Sequence, residues 1–431
     1  MARRSMFSIQ QNWPLQDYPK VSPSLAITSN SKNSLHSSLR PVLKLAAWFG
    51  LLPVHSTVSP DKAHLRYKLS TWGVLYAMLT CVFSFISIIL VIYRTIRNDF
   101  SYKNMVDLMF FVNSILIYSL FTQLATKWAR LMKAWQQLEW DMRAYGYPQD
   151  LAVRCKLVTF IFMFLAIVEH ISFIITRIVD STQCSDQIPL VKAYFLNVYH
   201  QTFFVIPYSL PLAIFLALFN FILTCAWNFM DLFIIILSNA LAIRFQQLNQ
   251  RLASVRGKVL PSSTWRQLRE TYNELSCLTK LLDHSLSPIV LLSFANNLYF
   301  MSLQLFNSLK PIQSVWEAIY FVYSFTCLLV RICAVSLYAA SINDASKECT
   351  GVLFSIPSES YCVEVSRFLT QVTSDDLALT GCKFFSVTRT LMLTIAGTIV
   401  TYEIVLVQFN AVTGDSNVDN STRPCRYILL D

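Results

Sequence analysis

The feature that most constrains this chain is a series of apolar segments long enough to cross a membrane. A helix needs about 20 mostly apolar residues to span the hydrocarbon core of a bilayer. Only 14% of the 431 residues are charged, against about 25% in a soluble protein. The sequence therefore predicts an all-α membrane protein with seven transmembrane helices. The predicted spans are about Leu69–Tyr93, Leu108–Thr126, Leu157–Thr176, a long run from Gln201, Ser285–Leu309, Ala318–Ile342 and Thr390–Gln408.

The distribution of Lys and Arg predicts the orientation of these spans. The basic residues concentrate in the N-terminal segment, between the second and third spans, and between the fourth and fifth. Because basic loops stay in the cytoplasm, the N-terminus is predicted inside the cell and the C-terminus outside, the reverse of a G-protein-coupled receptor. The sequon at Asn420 agrees, because N-glycosylation occurs on the luminal side, and Asn420 is the candidate glycosylation site.

This topology divides the chain into four predicted parts. They are a cytoplasmic N-terminal segment (1–68), helices one to six with cytoplasmic extensions (69–350), a cytoplasmic helix with helix seven (351–410), and an extracellular tail (411–431). The fourth apolar run is too long for one crossing, since a helix from Gln201 to Val255 would far exceed the ~30 Å hydrocarbon core. The excess, with amphipathic segments at 265–282 and 361–373, favours a cytoplasmic helical bundle over a loose surface helix.

Several function classes find no support in the sequence. The net charge of +10 does not indicate a nucleic-acid partner, because the basic residues lie in loops between apolar runs. The six His are scattered, no CxxC pair is present and Gly is scarce at eight, so we predict no catalytic residues, no metal and no cofactor. Cys184 and Cys425 are the cysteines predicted outside, and a disulfide between them stays open.

The end of the last span carries a specific pattern: Thr401-Tyr402, five mostly apolar residues, then Gln408-Phe409. It resembles the C-terminal signature of insect gustatory receptors. Upstream segments resemble the sugar-receptor branch of that family, and the resemblance covers about residues 45 to 410. These segments are Glu169-His170, Trp227-Asn228-Phe229-Met230-Asp231, Asn297-Leu298-Tyr299-Phe300 and Ala378-Leu379-Thr380-Gly381 followed by Lys383-Phe384-Phe385.

The resemblance implies a ligand-gated, non-selective cation channel in the plasma membrane of gustatory-neuron dendrites. Such a channel is a homo- or heterotetramer with related receptors, opened by a sugar in the outer half of helices one to six. Its seventh helices line the central pore. At 100° per residue, Thr401, Val405 and Gln408 share one face with Ile404 on its flank, so these four are the candidate pore-lining residues. A ring of Val405 would be an apolar constriction.

A sugar needs hydrogen-bonding groups and aromatic faces. Because ionisable residues within a span face the bundle interior, Glu169 and His170 are the leading candidate ligands. Each candidate can equally be a polar contact between helices. Arg331 and Asp231 are predicted to be structural, the former paired with a buried acid or with carbonyls. Further candidates are Asn113, Arg177, Tyr208, Asn296, Asn297, Tyr299, Gln304, Tyr320 and Tyr323.

Two alternatives remain open. One is a homologous chemoreceptor channel for a different tastant. The other is a multi-span secondary transporter, although transporters often carry internal repeats and broken helix pairs. The two halves of this chain show no repeat, and an odd number of spans fits that class poorly.

Overall fold

The computed structural model describes residues 34–58, 65–97, 102–146, 148, 150–182, 188–308 and 314–413. Within these residues the chain is helical apart from one antiparallel hairpin, β1 (Val54–Val58) and β2 (Leu65–Leu69). Asn420, Cys184 and Cys425 lie outside the described residues. The helices are α1 (Leu35–Trp48), α2 (Thr71–Arg97), α3 (Tyr102–Asp141), α4 (Leu151–Thr182), α5 (Leu190–Val198), α6 (His200–Phe203), α7 (Leu210–Ser254), α8 (Ser262–Ser308), α9 (Val315–Lys347), α10 (Thr350–Phe354), α11 (Val363–Ser374) and α12 (Arg389–Thr413).

Six helices of the described chain are long and apolar enough to cross a membrane: α2, α3, α4, α7, α8 and α9. Each of them overlaps one of the first six predicted spans, although α2 begins two residues after the predicted start and α7 begins nine residues after Gln201. The α2 helix presents a continuous exposed apolar face that includes Trp72, Leu79, Phe85 and Ile89. Exposed apolar surface of this extent indicates contact with lipid. The seventh predicted span lies within α12, a helix of 25 residues; the count of seven spans and the orientation stay predictions.

The N-terminal segment contains two elements that the sequence did not predict, the helix α1 and the β-hairpin. The α1 helix buries Leu35 and Leu39, and Ser34 caps its N-terminus by accepting a hydrogen bond from the Ser37 backbone N–H at 3.3 Å. The first backbone N–H of α1 donates to Glu139 Oε1 at 3.0 Å, and Arg244 Nη2 donates to the same oxygen at 2.7 Å. The start of α1 is therefore held to α3 and α7 by one buried carboxylate.

The fourth apolar run is not one helix from Gln201. The short α6 ends at Phe203, and α7 begins only at Leu210. Proline explains the break, because the residue before Pro207 is driven out of the α conformation and Pro211 is tolerated only in the first turn of a helix. The amphipathic segment 265–282 and the fifth span are, in contrast, one continuous helix, α8.

Three helices are much longer than a bilayer requires. The α3, α7 and α8 helices contain 40, 45 and 47 residues, which corresponds to about 60–70 Å at 1.5 Å per residue. Their ends pack together with α11 into a compact unit, here called the extension bundle (residues 127–145, 240–254, 262–284 and 363–374). Its core contains the fully buried Trp128, Trp135, Phe245, Trp265, Tyr272 and Phe368.

Aromatic ring contacts and an ion pair between α8 and α11 stabilise the extension bundle. The Tyr272 ring centroid lies 6.0 Å from that of Phe245 and 5.4 Å from that of Phe368. Arg269 Nε donates to Glu364 Oε2 at 2.8 Å, and this hydrogen bond holds the pKa of Glu364 below its ordinary value. These segments therefore form a packed bundle and not a loose surface helix. The side of the membrane on which the bundle lies stays a prediction.

Candidate functional site

A buried serine, Ser324 of α9, connects three helices within the spanning region. Its hydroxyl donates to Glu169 Oε1 of α4 at 2.7 Å and accepts a hydrogen bond from Gln304 Nε2 of α8 at 3.1 Å. Ser324 is 4% exposed, whereas Glu169 and Gln304 are half-buried. Glu169 and Gln304, both predicted ligand-binding residues, are thus joined through the Ser324 hydroxyl.

Aromatic rings surround this polar cluster. The Phe173 ring centroid lies 6.1 Å from the Tyr320 ring and 6.4 Å from the His170 ring. His170 also lies 5.4 Å from the ring of Phe221, which α7 contributes. The name Ser324 site is used here for the group formed by Glu169, His170, Phe173, Phe221, Gln304, Tyr320 and Ser324. Four helices, α4, α7, α8 and α9, meet there.

Two further predicted residues border the Ser324 site. The Arg177 guanidinium lies 5.3 Å from the centre of the Phe173 ring, and its Nη1 forms an ion pair with Asp180 Oδ2 at 3.2 Å. The Tyr323 hydroxyl donates to the backbone oxygen of Leu165 at 3.3 Å, which joins α9 to α4. Arg177 therefore adds charge beside the aromatic wall, and Tyr323 contributes to the packing of the two helices.

The chemistry of the Ser324 site suits a ligand with several hydroxyls. A carboxylate is an acceptor with room for several hydrogen bonds, and an amide both donates and accepts. Aromatic faces complement the C–H surfaces of a ring. Glu169, His170 and Tyr320 are each half-buried, so part of each side chain is exposed in the single chain.

Five other predicted ligand residues are not part of this cluster. Asn297 lies on the same face of α8 as Gln304 but about two turns away along the axis, so it reaches a different depth. Tyr299 packs on the neighbouring Phe300, with ring centroids 5.2 Å apart. Asn113 is buried on α3, and Tyr208 lies between α6 and α7, its ring 5.4 Å from that of Phe203. Asn296 of α8 is also buried, and no hydrogen bond within the described residues joins it to the Ser324 site.

Ser324, Phe173 and Phe221 belong to the site although the sequence analysis did not single them out. Two of them follow predicted residues by one helical turn: Ser324 is four residues after Tyr320, and Phe173 is four after Glu169. Residues at this spacing lie on the same face of a helix, so a search one turn beyond each polar candidate would have found both. No comparable signal marks Phe221.

Asn297 belongs to a second buried polar network, which also contains Arg331, Asp231 and Asn228. Arg331 Nε of α9 forms an ion pair with Asp231 Oδ2 of α7 at 3.1 Å, and Arg331 Nη1 donates to Asn228 Oδ1 at 2.9 Å. Asn297 Nδ2 donates to the same carboxylate at 3.3 Å. The Asp231 and Arg331 side chains are 0% and 8% exposed. The buried acid expected for Arg331 is thus Asp231, and the pair joins the two helices.

The start of α12 is tied to α8 through a buried carboxylate. Asp283 Oδ1 accepts hydrogen bonds from the Thr380 backbone N–H at 2.6 Å and from the Thr380 hydroxyl at 2.9 Å, and Lys383 Nζ lies 2.6 Å from Asp283 Oδ2. Arg389 Nε donates to Asp344 Oδ2 of α9 at 2.6 Å. These contacts are here called the Asp283 anchor.

A glycine in the same segment allows an aromatic side chain to pack over it. The Phe385 ring occupies the space that a side chain at residue 381 would need, so only Gly381 fits there. The Gly381 backbone N–H donates to the Phe385 oxygen at 3.0 Å, and the Phe385 ring lies 5.3 Å from that of Phe294 on α8. The segment before α12 therefore has a fixed shape against α8.

The candidate pore-lining residues lie on α12 and are exposed in the single chain. Ile404 and Val405 are 52% and 38% exposed, and Thr401 and Gln408 are also exposed. Exposure on an apolar helix leaves these side chains available for contact with lipid or with another chain. The role of the four residues in a pore stays a prediction. Across the described ranges no group of three or more His, Cys, Asp or Glu could hold a metal ion.

Comparisons with known proteins give one consistent result. The family described as trehalose receptor matches residues 22–420. The chain is 34% identical to the Drosophila melanogaster gustatory receptor for sugar taste 64f over 91% of this chain and 84% of that protein. It is also 34% identical to the Drosophila melanogaster gustatory receptor 5a for trehalose, over 92% and 88% of the two chains.

A solved structure shares the fold. The olfactory receptor OR5 of the insect Machilis hrabei, in complex with eugenol, superposes with a TM-score of 0.62 at 17% identity. The match covers 87% of this chain and 99% of that chain. The long spanning helices and their extensions thus follow the architecture of an insect chemoreceptor.

Proposed function

Because this chain belongs to the trehalose receptor family of gustatory receptors, we propose that it is a ligand-gated, non-selective cation channel opened by a sugar. As a member of this family it is a multi-pass membrane chemoreceptor and not an enzyme. The proposal adds the chemical class of the ligand, the position of its site and the ion-conducting activity.

The observation that carries the sugar assignment is the Ser324 site. The bonds from Gln304 to Ser324 and from Ser324 to Glu169 form a short polar chain that joins α8, α9 and α4. The rings of His170, Phe173 and Tyr320 lie beside it. A polyol can replace the Ser324 bonds with its own hydroxyls while its C–H faces contact the rings. The names of the relatives, which include sugars and trehalose, support the same class of ligand.

Four chains with their α12 helices around one axis would provide the pore. The exposure of Thr401, Ile404, Val405 and Gln408 supports this arrangement, and the Asp283 anchor supplies a rigid connection between the ligand-binding helices and α12. We propose an assembly of this chain with itself or with related receptors. The Ser324 site then lies in the outer half of the bundle and the extension bundle in the cytosol.

The test is a recording of sugar-evoked current in cells that express the chain, alone and with related receptors. A panel of trehalose, sucrose, glucose and fructose should evoke a cation current for at least one sugar. Ser324→Ala should raise the half-activating concentration of that sugar about three- to tenfold, because a net hydrogen bond contributes about 0.5–1.5 kcal/mol.

The matched control is Ser302→Ala, which removes a hydroxyl from the exposed side of α8 and should respond like the parent. A chain that reaches the cell surface with related receptors and passes no current with any sugar would contradict the proposal. An equal rise of the half-activating sugar concentration in Ser324→Ala and Ser302→Ala would show that Ser324 does not take part in ligand binding.

A further inference from the structure

The helix α1 extends from the extension bundle to the membrane-spanning part of the chain. At its start, the Leu35 backbone N–H donates to Glu139 Oε1 at 3.0 Å, and Glu139 lies well beyond the predicted end of the second span. At the other end, the Phe49 oxygen accepts a hydrogen bond from the Tyr118 hydroxyl at 2.6 Å, and Tyr118 lies inside that span. The boundary between water and lipid therefore falls along the 14 residues of α1, a length of about 21 Å at 1.5 Å per residue.

One exposed face of α1 changes in chemistry along this length. It carries Arg40, Lys44 and Trp48, which are exposed and follow one another at intervals of four residues, so they form one stripe along the helix. Trp48 is 79% exposed and ends the helix at the spanning side, whereas the two cations lie toward the extension bundle. A membrane interface favours this order, because Trp rings prefer the headgroup level and cationic side chains extend to the water and phosphate beside it.

The α4 helix, which packs against α1, shows the same order. Its first two turns expose Arg154 and Lys156, and the next exposed side chains are the apolar Leu157 and Phe160, at 55% and 68%. Neither α1 nor the segment 151–160 contains an acidic residue. No ion pair within the described residues includes any of these four cations of α1 and α4. Their charge is thus left for a partner outside the chain.

We propose that Arg40, Lys44, Trp48, Arg154 and Lys156 form a surface that binds the headgroups of anionic phospholipids. The cations contact the headgroup anions, and the Trp48 ring lies where the acyl chains begin. Four cations without an acidic partner attract a headgroup of net negative charge and gain much less from a net neutral one. The proposed cytosolic position of the extension bundle places this surface at the leaflet that carries anionic lipid. The binding itself requires neither sugar nor current.

The test is photolabelling of the whole purified chain in phosphatidylcholine nanodiscs that contain a small fraction of phosphatidylserine with a diazirine near its headgroup. Labelling should concentrate in residues 40–48 and 153–160. A phosphatidylcholine probe with the same diazirine should label these segments several-fold less. Unlabelled phosphatidylserine in the bilayer should compete, whereas soluble glycerophosphoserine should not, because it lacks the acyl chains. Equal labelling by the two probes, or equal competition by the soluble ester, would overturn the proposal.

Charge variants give a second measurement. Arg40→Gln combined with Lys44→Gln should raise the fraction of phosphatidylserine probe needed for half-maximal labelling about 10- to 25-fold, since each basic residue near an anionic surface contributes about fivefold. The matched control, Arg256→Gln combined with Lys258→Gln, removes the same charge from the exposed loop between α7 and α8 and should label like the parent. An equal effect of the two double variants would assign binding to net charge and overturn the proposal. Crosslinks from residues 40–48 to a second copy of the chain, in place of lipid, would also overturn it.

Discussion

Glu169 shows how one side chain can serve both the packing of helices and the binding of a ligand. It accepts the Ser324 hydroxyl at 2.7 Å, and one such bond uses only part of the acceptor capacity of a carboxylate. His170, the next residue, faces a different neighbour, the Phe221 ring of α7. Adjacent residues of a helix point about 100° apart, so the pair brings acceptor and imidazole to two sides of the same site.

Replacement of these two residues should weaken the response to sugar. In Glu169→Gln the half-activating sugar concentration should rise about 10- to 150-fold, since a hydrogen bond to a charged group contributes about 1.5–3 kcal/mol. In His170→Ala it should rise about two- to tenfold, since a hydrogen bond to a neutral group contributes about 0.5–1.5 kcal/mol. Concentration–response curves from whole-cell currents measure the shift, and labelling of intact cells verifies surface expression. If the concentration–response curves of both variants superpose on that of the parent, these two residues do not contact the ligand.

The sequence predicted which residue types form the site but not which of them meet. Glu169 and Gln304 lie on helices α4 and α8, and their meeting point depends on Ser324 of a third helix. The depth and rotation at which the three helices meet are set by side-chain packing along their whole length, and a local sequence pattern does not predict them. The same limitation explains Asn297, a polar residue of the correct helix that contacts Asp231 instead.

At the scale of elements, the apolar runs predicted the spans well because hydropathy is a local property. The break before α7 also has a local cause, Pro207 and Pro211. The helix α1 and the β-hairpin were missed because their stability comes from distant partners. The backbone at Leu35 depends on Glu139, and Phe49 O accepts from the Tyr118 hydroxyl at 2.6 Å.

The Asp283 anchor should hold the start of α12 even without ligand. Asp283→Asn removes the negative charge and replaces the oxygen that Lys383 faces with a donor amide group, so the bond from Lys383 is lost and the Thr380 bonds to the remaining oxygen lose their charged acceptor. Backbone amides of residues 377–388 should then exchange hydrogen faster, by about 10-fold or more, because each lost bond to a charged group costs about 1.5–3 kcal/mol. Hydrogen–deuterium exchange with mass spectrometry measures this.

The control for the anchor is Asp376→Asn in the same segment. The Asp376 side chain is 64% exposed and pairs with a half-exposed Lys347 at 3.1 Å, and exposed pairs contribute little to stability. Exchange in this variant should stay close to that of the parent. An effect as large as that of Asp283→Asn would mean that burial of the carboxylate is not what fixes the segment.

At the scale of the whole molecule, the proposed topology places the two termini on opposite sides of the membrane. An epitope tag after Asp431 should be labelled by antibody on intact cells, and a tag before Met1 should be labelled only after permeabilisation. The physical basis is the retention of basic segments in the cytoplasm. The converse pattern of labelling would overturn both the orientation and the proposed outer position of the Ser324 site.

The proposed pore makes separate predictions for the two faces of α12. Val405→Ala and Val405→Ser should raise the basal current, because a wider and more polar constriction holds water in the closed state. Gln408→Arg should abolish inward cation current through electrostatic repulsion. Glu403→Gln should leave the reversal potential unchanged. A shift in reversal potential in Glu403→Gln, with none in a Gln408 variant, would place the opposite face of the helix on the pore.

The Asp283 anchor makes α12 a lever with a fixed base. From Arg389, which Asp344 holds, to Gln408 the helix extends about 28 Å at 1.5 Å per residue. A tilt of about 4° at the base therefore moves Gln408 sideways by about 2 Å over that length. In the proposed fourfold assembly opposite helices would move apart together, so the pore diameter would change by about twice that displacement. A few degrees of rigid rotation is enough to change a pore at ionic scale, and α12 need not unwind or slide.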